Sequence, residues 1–415
     1  MRRPSILFAA LFLFIFTGAA AQSVLFRVNT VVDSDQVQPD VALDMSGTLV
    51  SVWASNGGDG DGYGIRAVRV AETGKALSSE FNVNTVTAGD QFSPAVAADQ
   101  TGAFVVVWES ESGGANGTDI KARLFGPDGQ GFGSEFFVNS FVANDQYEPD
   151  IAMAPDGRFV VVWTSRGQDG SYESIYGQRF NKIGEKVGSE FRVNASYLND
   201  DYAPAVAMSD DGSFAATWSS LLSGQTGELW GVYARSFNAD GTPRSGEFRV
   251  NQTTKGAQEY SVIAADSSGR FGVIWETERS GGNGRAIYGR NFEADGTPRT
   301  GEYSVTLDAT GENVRPSVTR DISGLMHIAW TRQADGEEPS MVLRRRVDHA
   351  GVAVDAEEFE VAAGGVDDAR TAIAVNLYGE SVIVFDAQDM IDEGDADGSE
   401  IFARRFETYY GGCGG

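Results

Sequence analysis

The residues best equipped for chemistry are carboxylates crowded into short, glycine-rich loops. The densest run is Asp392-Glu393-Gly394-Asp395-Ala396-Asp397-Gly398-Ser399-Glu400. Calcium, a hard cation, takes several carboxylate and carbonyl oxygens from a flexible loop. Asp392, Asp395, Asp397 and Glu400 have the spacing to offer them, with Gly398 for the turn. Asn56-Gly57-Gly58-Asp59-Gly60-Asp61-Gly62 is a weaker copy, with Asp59 and Asp61 as ligands. The competing reading of both segments is a solvated acidic loop. Calcium is the one cofactor that the sequence suggests.

A ligand-binding candidate is Trp230, with Glu228 beside it in the glycine-rich stretch from Ser223. An aromatic on a loop is suited to ligand contact. Asp201 belongs to a series of polar residues at regular intervals, Gln36, Gln91, Gln146, Asp201, Gln258, Asn313 and Asp368. These form either a ring of ligand-facing groups or a set of side chains that satisfy the backbone. Signs of catalysis are thin. The chain has two histidines, His327 and His349, and one cysteine, Cys413. It has no nucleophile motif and no phosphate loop. Carboxylate pairs able to hydrolyse a glycosidic bond stay open as an alternative.

A repeat positions these residues. Tryptophan recurs at Trp53, Trp108, Trp163, Trp218, Trp275 and Trp330, and Phe385 takes the seventh place. The steps between them are 55, 55, 55, 57, 55 and 55 residues. Units of this size that bury a face only against their neighbours build closed or stacked arrays. The second unit shows the content: Ser93–Asp99, the fully apolar Phe104–Trp108, Ile120–Phe125 and Glu135–Val138, here called strands a to d. A strand apolar at every position is covered on both faces. Strand a opens at Pro39, Pro94, Pro149, Pro204, Ser261, Pro316 and Thr371. The a–b turn carries Gly47, Gly102, Gly157, Gly212, Gly269, Gly324 and Gly379, where a tight hairpin needs positive φ.

Four antiparallel strands in each of seven units predict an all-β, seven-bladed β-propeller. A lone d strand, Leu25–Val28, precedes the first unit, and the last unit ends on a c strand, Ile401–Phe406. The N-terminal strand is therefore expected to complete the last blade and remove the open edge. The tryptophans, on the apolar b strand, read as core.

Residues 1–21 read as a secretory signal peptide, with Arg2 and Arg3 before an apolar run and Ala19-Ala20-Ala21 before Gln22. The propeller occupies 22–406, and 407–415 is a glycine-rich tail holding Cys413, a possible link to a second chain in an otherwise monomeric protein. The apolar run is too short for a transmembrane segment. Net charge is −27, which argues against nucleic acid as a partner. The b–c loops hold 20 acids against 4 arginines, and the d–a loops 12 acids against 3 bases. Strand order puts both loop sets on one face of the disc, which is then strongly acidic.

The repeat Glu-Phe-x-Val-Asn-Thr, Gln-x-x-Pro-x-Val-Ala, Gly-x-Phe-Val-Val-x-Trp, Ile-x-Ala-Arg-x-Phe is clearest at 80–84, 91–97, 102–108 and 120–125. It resembles repeats of bacterial exported and surface proteins, many of them parts of adhesin-like chains. It is more distantly similar to integrin-type propeller repeats, whose calcium loop lies where this chain has only a short a–b turn. The resemblance implies architecture and brings no catalytic residues with it. The expected function is binding or adhesion, outside the cytoplasm or at the cell surface, of a glycan or protein on the acidic face. The alternatives are a carboxylate-based polysaccharide-processing enzyme and a structural or assembly protein.

Overall fold

The computed structural model describes residues 25–406, other than 33, 112–116, 171, 197–198, 222–229, 280–283, 309–310, 335–338, 367–368, 389 and 391–397. The described residues form seven antiparallel four-stranded sheets and no helix. Strand a of each sheet packs on strand a of the next, and the a strand of the seventh returns to that of the first. This is the seven-bladed propeller expected from the period, with the a strands around its axis.

The last blade closes as expected. Its strands Thr371–Val375, Ser381–Ala387 and Glu400–Phe406 are completed by Leu25–Arg27, in the register Leu25↔Arg404, Phe26↔Ala403 and Arg27↔Phe402. Arg27 Nη1 also reaches Glu400 Oε1 at 3.0 Å, so an ion pair backs the short clasp.

The core lies between blades. Seven apolar clusters each draw on two adjacent sheets; one joins Trp53 and Val68 of the first blade to Val382 and Ile401 of the last. All six repeat tryptophans and Phe385 have no exposed surface, which confirms them as core. The a–b glycines take φ between 75° and 87°, as the turn requires.

Strand a differs from its sequence reading. It begins three residues earlier, at Gln36 in the first blade and Gln91 in the second, and the proline lies within it. The ladder slips at that point: pairing passes from Val37 to Asp40 and from Phe92 to Ala95. This is a β-bulge. Proline lacks the N–H to continue the ladder, and a bulge tolerates it.

Replacing Trp163 by Ala should destabilise the protein by about 3–5 kcal/mol, the usual range for truncating a buried large aromatic. Chemical denaturation measures this, and an unchanged midpoint would contradict the packing.

Candidate functional site

Most of the repeated polar residues are engaged in holding the blades together. Trp53 Nε1–H donates to Gln36 Oε1 at 2.7 Å, and the same bond joins Trp163 to Gln146, Trp275 to Gln258 and Trp330 to Asn313. The amide of each acceptor then donates to a backbone carbonyl, as Gln36 Nε2 does to Ser34 O at 3.0 Å. Four of the seven residues in the polar series are thus indole acceptors; Gln91 accepts from Ser110 Oγ instead, and Trp108 Nε1 is left without a hydrogen bond. The asparagine after strand d accepts a strand-c N–H, as Asn84 does from Ile65 at 2.8 Å. The strand-d glutamate accepts N–H groups from the preceding blade's loop, as Glu135 does from Thr85 at 2.7 Å. The strand-c arginine donates to a carbonyl of the preceding blade, Arg123 to Val83 O and Arg235 to Val193 O.

The d–a and b–c loops share a face, as expected. They bond each other within each blade, as in Asn56 N to Asp35 O and Glu111 N to Asp90 O. Some of their acids cap loop backbone; Asp90 Oδ1 accepts from Tyr63 N at 2.8 Å.

Function must therefore lie where the blades differ, and the bulge provides six such places. Gln38, Ser93, Glu148, Ala203, Tyr260 and Arg315 all take φ between 47° and 56°; Arg370 stands at the equivalent position of the seventh blade, just before a strand a that pairs without a bulge. A non-glycine residue held at positive φ is strained and persists only where surroundings fix it. The fixing groups are visible. Each bulge N–H is caught by a side chain: Gln38 N by Asp386, Ser93 N by Gln38, Glu148 N by Glu109, Ala203 N by Glu148, Tyr260 N by Ser219 and Arg315 N by Glu276; Arg370 N, at the unbulged equivalent, also bonds Asp386. Four of these acceptors (Glu109, Ser219, Glu276 and Asp386) follow the repeat aromatic directly in strand b. The bulge thus sets six unlike residues, with Arg370 at the equivalent place in the seventh blade, around the axial mouth on the face of the d–a and b–c loops.

Two groups stand out there. On one side Trp230 packs edge-on against Tyr202, with ring centroids 4.7 Å apart, and Tyr202 meets Tyr260 at 5.8 Å. Tyr260 is 45% exposed. The Tyr202 hydroxyl donates to Glu259 Oε1 at 2.7 Å, Glu259 pairs with Arg285 at 3.4 Å, and Arg285 pairs with Glu276 at 2.7 Å. Burial and the Glu259 carboxylate keep the Tyr202 phenol protonated far above its ordinary range. On the other side Glu109 and Glu148 lie within electrostatic reach of the exposed Arg370. Burial pushes both carboxyls up, against the lowering effect of the bulge N–H each accepts.

The residues singled out by sequence fall in different places. Trp230 is at the mouth. Asp201 is an indole-side acceptor, 1% exposed, below it. Glu400 holds Arg27. Asp59 Oδ2 accepts from Asn84 Nδ2 at 2.5 Å, and Asp61 Oδ2 from Gly89 N at 3.4 Å. Glu228, Asp392, Asp395, Asp397 and Cys413 lie outside the described residues. Among the described residues no three His, Cys, Asp or Glu converge as a metal site, and none belongs to a helix long and apolar enough to cross a membrane. Sequence reasoning missed Tyr202, Tyr260, Arg315 and Arg370. The signal was present in the positions just before the expected opening of strand a, where the units carry Gln, Ser, Glu, Ala, Tyr, Arg and Arg; Tyr202 lies one residue earlier.

No protein-family model and no curated protein matches the chain. Solved structures share its architecture. A polysaccharide lyase, an ulvan lyase bound to -[GlcA(1-4)Rha3S]-, aligns with a TM-score of 0.58 at 10% identity, over 91% of this chain and 97% of that one. A protein of unknown function from Dyadobacter fermentans aligns at 0.52 and 10% identity, over 93% and 98%. An α-L-arabinofuranosidase of Fusarium graminearum, in complex with arabinobiose, aligns at 0.51 and 11% identity, over 76% and 92%. Identity this low establishes the fold alone.

Asp201 yields a pH test. Its Oδ2 accepts from Asn194 at 2.6 Å, while its buried Oδ1 lacks a well-formed bond, with Ser220 and Trp218 beside it. Burial pushes its carboxyl up to about 7, and burial likewise raises Asp40 to about 6 and Asp150 to about 7. A carboxyl whose folded value is raised holds its proton longer in the native state. Its contribution is therefore fully present below about 4 and is lost as pH rises toward 7. Asp201→Asn, which is uncharged at any pH, should narrow the difference in melting temperature between pH 4 and pH 8. An unchanged difference would show that Asp201 is ionised at little cost.

Proposed function

We propose that this is an exported glycan-binding propeller whose ligand sits at the axial mouth of the acidic face. The observation that carries the reading is the cluster of Trp230, Tyr202 and Tyr260 beside the chain of Tyr202, Glu259, Arg285 and Glu276. Aromatic faces take the C–H side of a sugar, and a neighbouring fixed set of donors and acceptors takes its hydroxyls. The aromatic cluster does not serve the repeat. Trp230 is outside the tryptophan register, and Tyr260 replaces Gln, Ser, Glu, Ala and Arg of other blades. Two solved propellers of this architecture are by name a polysaccharide lyase and an arabinofuranosidase, which makes oligosaccharides the first ligands to try.

Glycan-array screening followed by calorimetry tests the reading. Tyr260→Ala and Trp230→Ala should each weaken the best hit roughly tenfold or more, as expected for truncating an aromatic anchor. Wild-type affinity in both variants would remove the mouth as the site.

A second reading, polysaccharide processing, has its own support. Glu148 and Glu109 are carboxyls raised by burial at a mouth that also holds a cation, a setting suited to proton transfer. Glu148→Gln preserves an acceptor for Ala203 N–H. It should abolish any product formed from a bound glycan while leaving binding intact, as read by chromatography of the reaction mixture. Turnover that survives would discard Glu148 as the acid–base group.

A further inference from the structure

The residues just before the bulge form a second ring, one step nearer the d–a loop: Val37, Phe92, Tyr147, Tyr202, Glu259 and Val314, with Ala369 at the equivalent place in the seventh blade. They share one register, in which Phe92 pairs with Glu109, Tyr147 with Thr164 and Tyr202 with Ser219. The aromatic members fall in the second, third and fourth blades. The a strands of these blades, Gln91–Ala98, Gln146–Met153 and Asp200–Met208, pack in succession around the axis. Each end of this arc gains a further ring. Tyr63 of the first blade meets Phe92 with centroids 4.9 Å apart, and Trp230 and Tyr260 meet Tyr202. Five successive blades thus supply six rings. The repeat tryptophans have no exposed surface, whereas Tyr260 is exposed and the other five rings are half-buried. Phe92 and Tyr63 rest on the apolar cluster between the first two blades, so each is core on one side only. Adjacent sheets pack roughly 10 Å apart, a step longer than one sugar ring. A single sugar held at Trp230 and Tyr260 would leave Tyr147, Phe92 and Tyr63 without a role at the mouth.

We propose that the mouth binds a stretch of a linear glycan chain several units long, laid along the arc from Trp230 and Tyr260 through Tyr202 and Tyr147 to Phe92 and Tyr63. This rests on the glycan reading and narrows it to a class of ligand. Rings that recur at one-blade intervals each take a different sugar of the chain, and the fixed polar groups between them take its hydroxyls. The arc stops after the fifth blade, because the sixth and seventh carry Val314 and Ala369 at the same position.

Calorimetry on the whole chain tests the proposal, with arabino-, cello- and galacturono-oligosaccharides of two to six units and the same lengths of any other glycan retained on the array. For the series that binds, affinity should rise about tenfold or more between two and six units, the scale of one added aromatic anchor. Tyr147→Ala and Phe92→Ala should each flatten that rise, and their melting temperatures show that they fold. If Phe92→Ala does not fold, Tyr147→Ala decides. An affinity that stops rising at two units, or a rise that survives Tyr147→Ala, overturns the extended arc and leaves glycan binding standing. If no probe and no arrayed glycan binds, both fall.

Discussion

A four-stranded sheet that is apolar on both faces has no stable existence alone. Every strand b here is such an element, and its two faces are covered only by the blades on either side. Each blade depends on its neighbours, and the array is stable without an exposed apolar end only when it meets itself. The clasp of Leu25–Arg27 on Glu400–Phe406, backed by the Arg27–Glu400 pair, follows from that requirement.

Hydrogen bonding then fixes the blades at one spacing. The indole of strand b is held by the residue that opens strand a, the asparagine caps strand c, and the strand-d glutamate and strand-c arginine reach across to the preceding blade. Buried polar groups without partners are costly, so these residue types recur in nearly every unit. The units that depart from the pattern differ in how far they are satisfied: Trp108 Nε1 and the hydroxyl of Thr306, which replaces the asparagine, are buried without a hydrogen bond. Asp201 replaces an amide and takes a proton at higher pH than usual, and Arg332 Nε joins Trp330 Nε1 at Asn313 Oδ1.

The architecture was legible because it is periodic. Trp108 and its equivalents mark strand b, Gly102 and its equivalents mark the a–b turn, and both are where the period puts them. The bulge was not legible. Pro94 signals a strand boundary as readily as a bulge, and only the register slip between Phe92 and Ala95 distinguishes them. That ambiguity concealed the site. Without the bulge, Tyr260 and Arg315 are two loop residues far apart in sequence; with it they share a ring. Trp230 could be found from sequence because it breaks the period, whereas Arg315 and Arg370 keep the period and break only the chemistry.

The bulge separates two tasks within one residue. Its backbone N–H is anchored by the neighbouring side chain, and its own side chain is left to the channel mouth, where positions as different as Ala203, Glu148 and Arg315 adopt nearly the same φ. The scaffold thus has six interchangeable addresses, most of which can change occupant without moving the frame. Gln38 and Glu148 are the exceptions, since each also anchors the next position. A chain built this way can acquire a new ligand by successive single replacements, and the order in which those replacements are tolerated is set by which addresses also carry a neighbour.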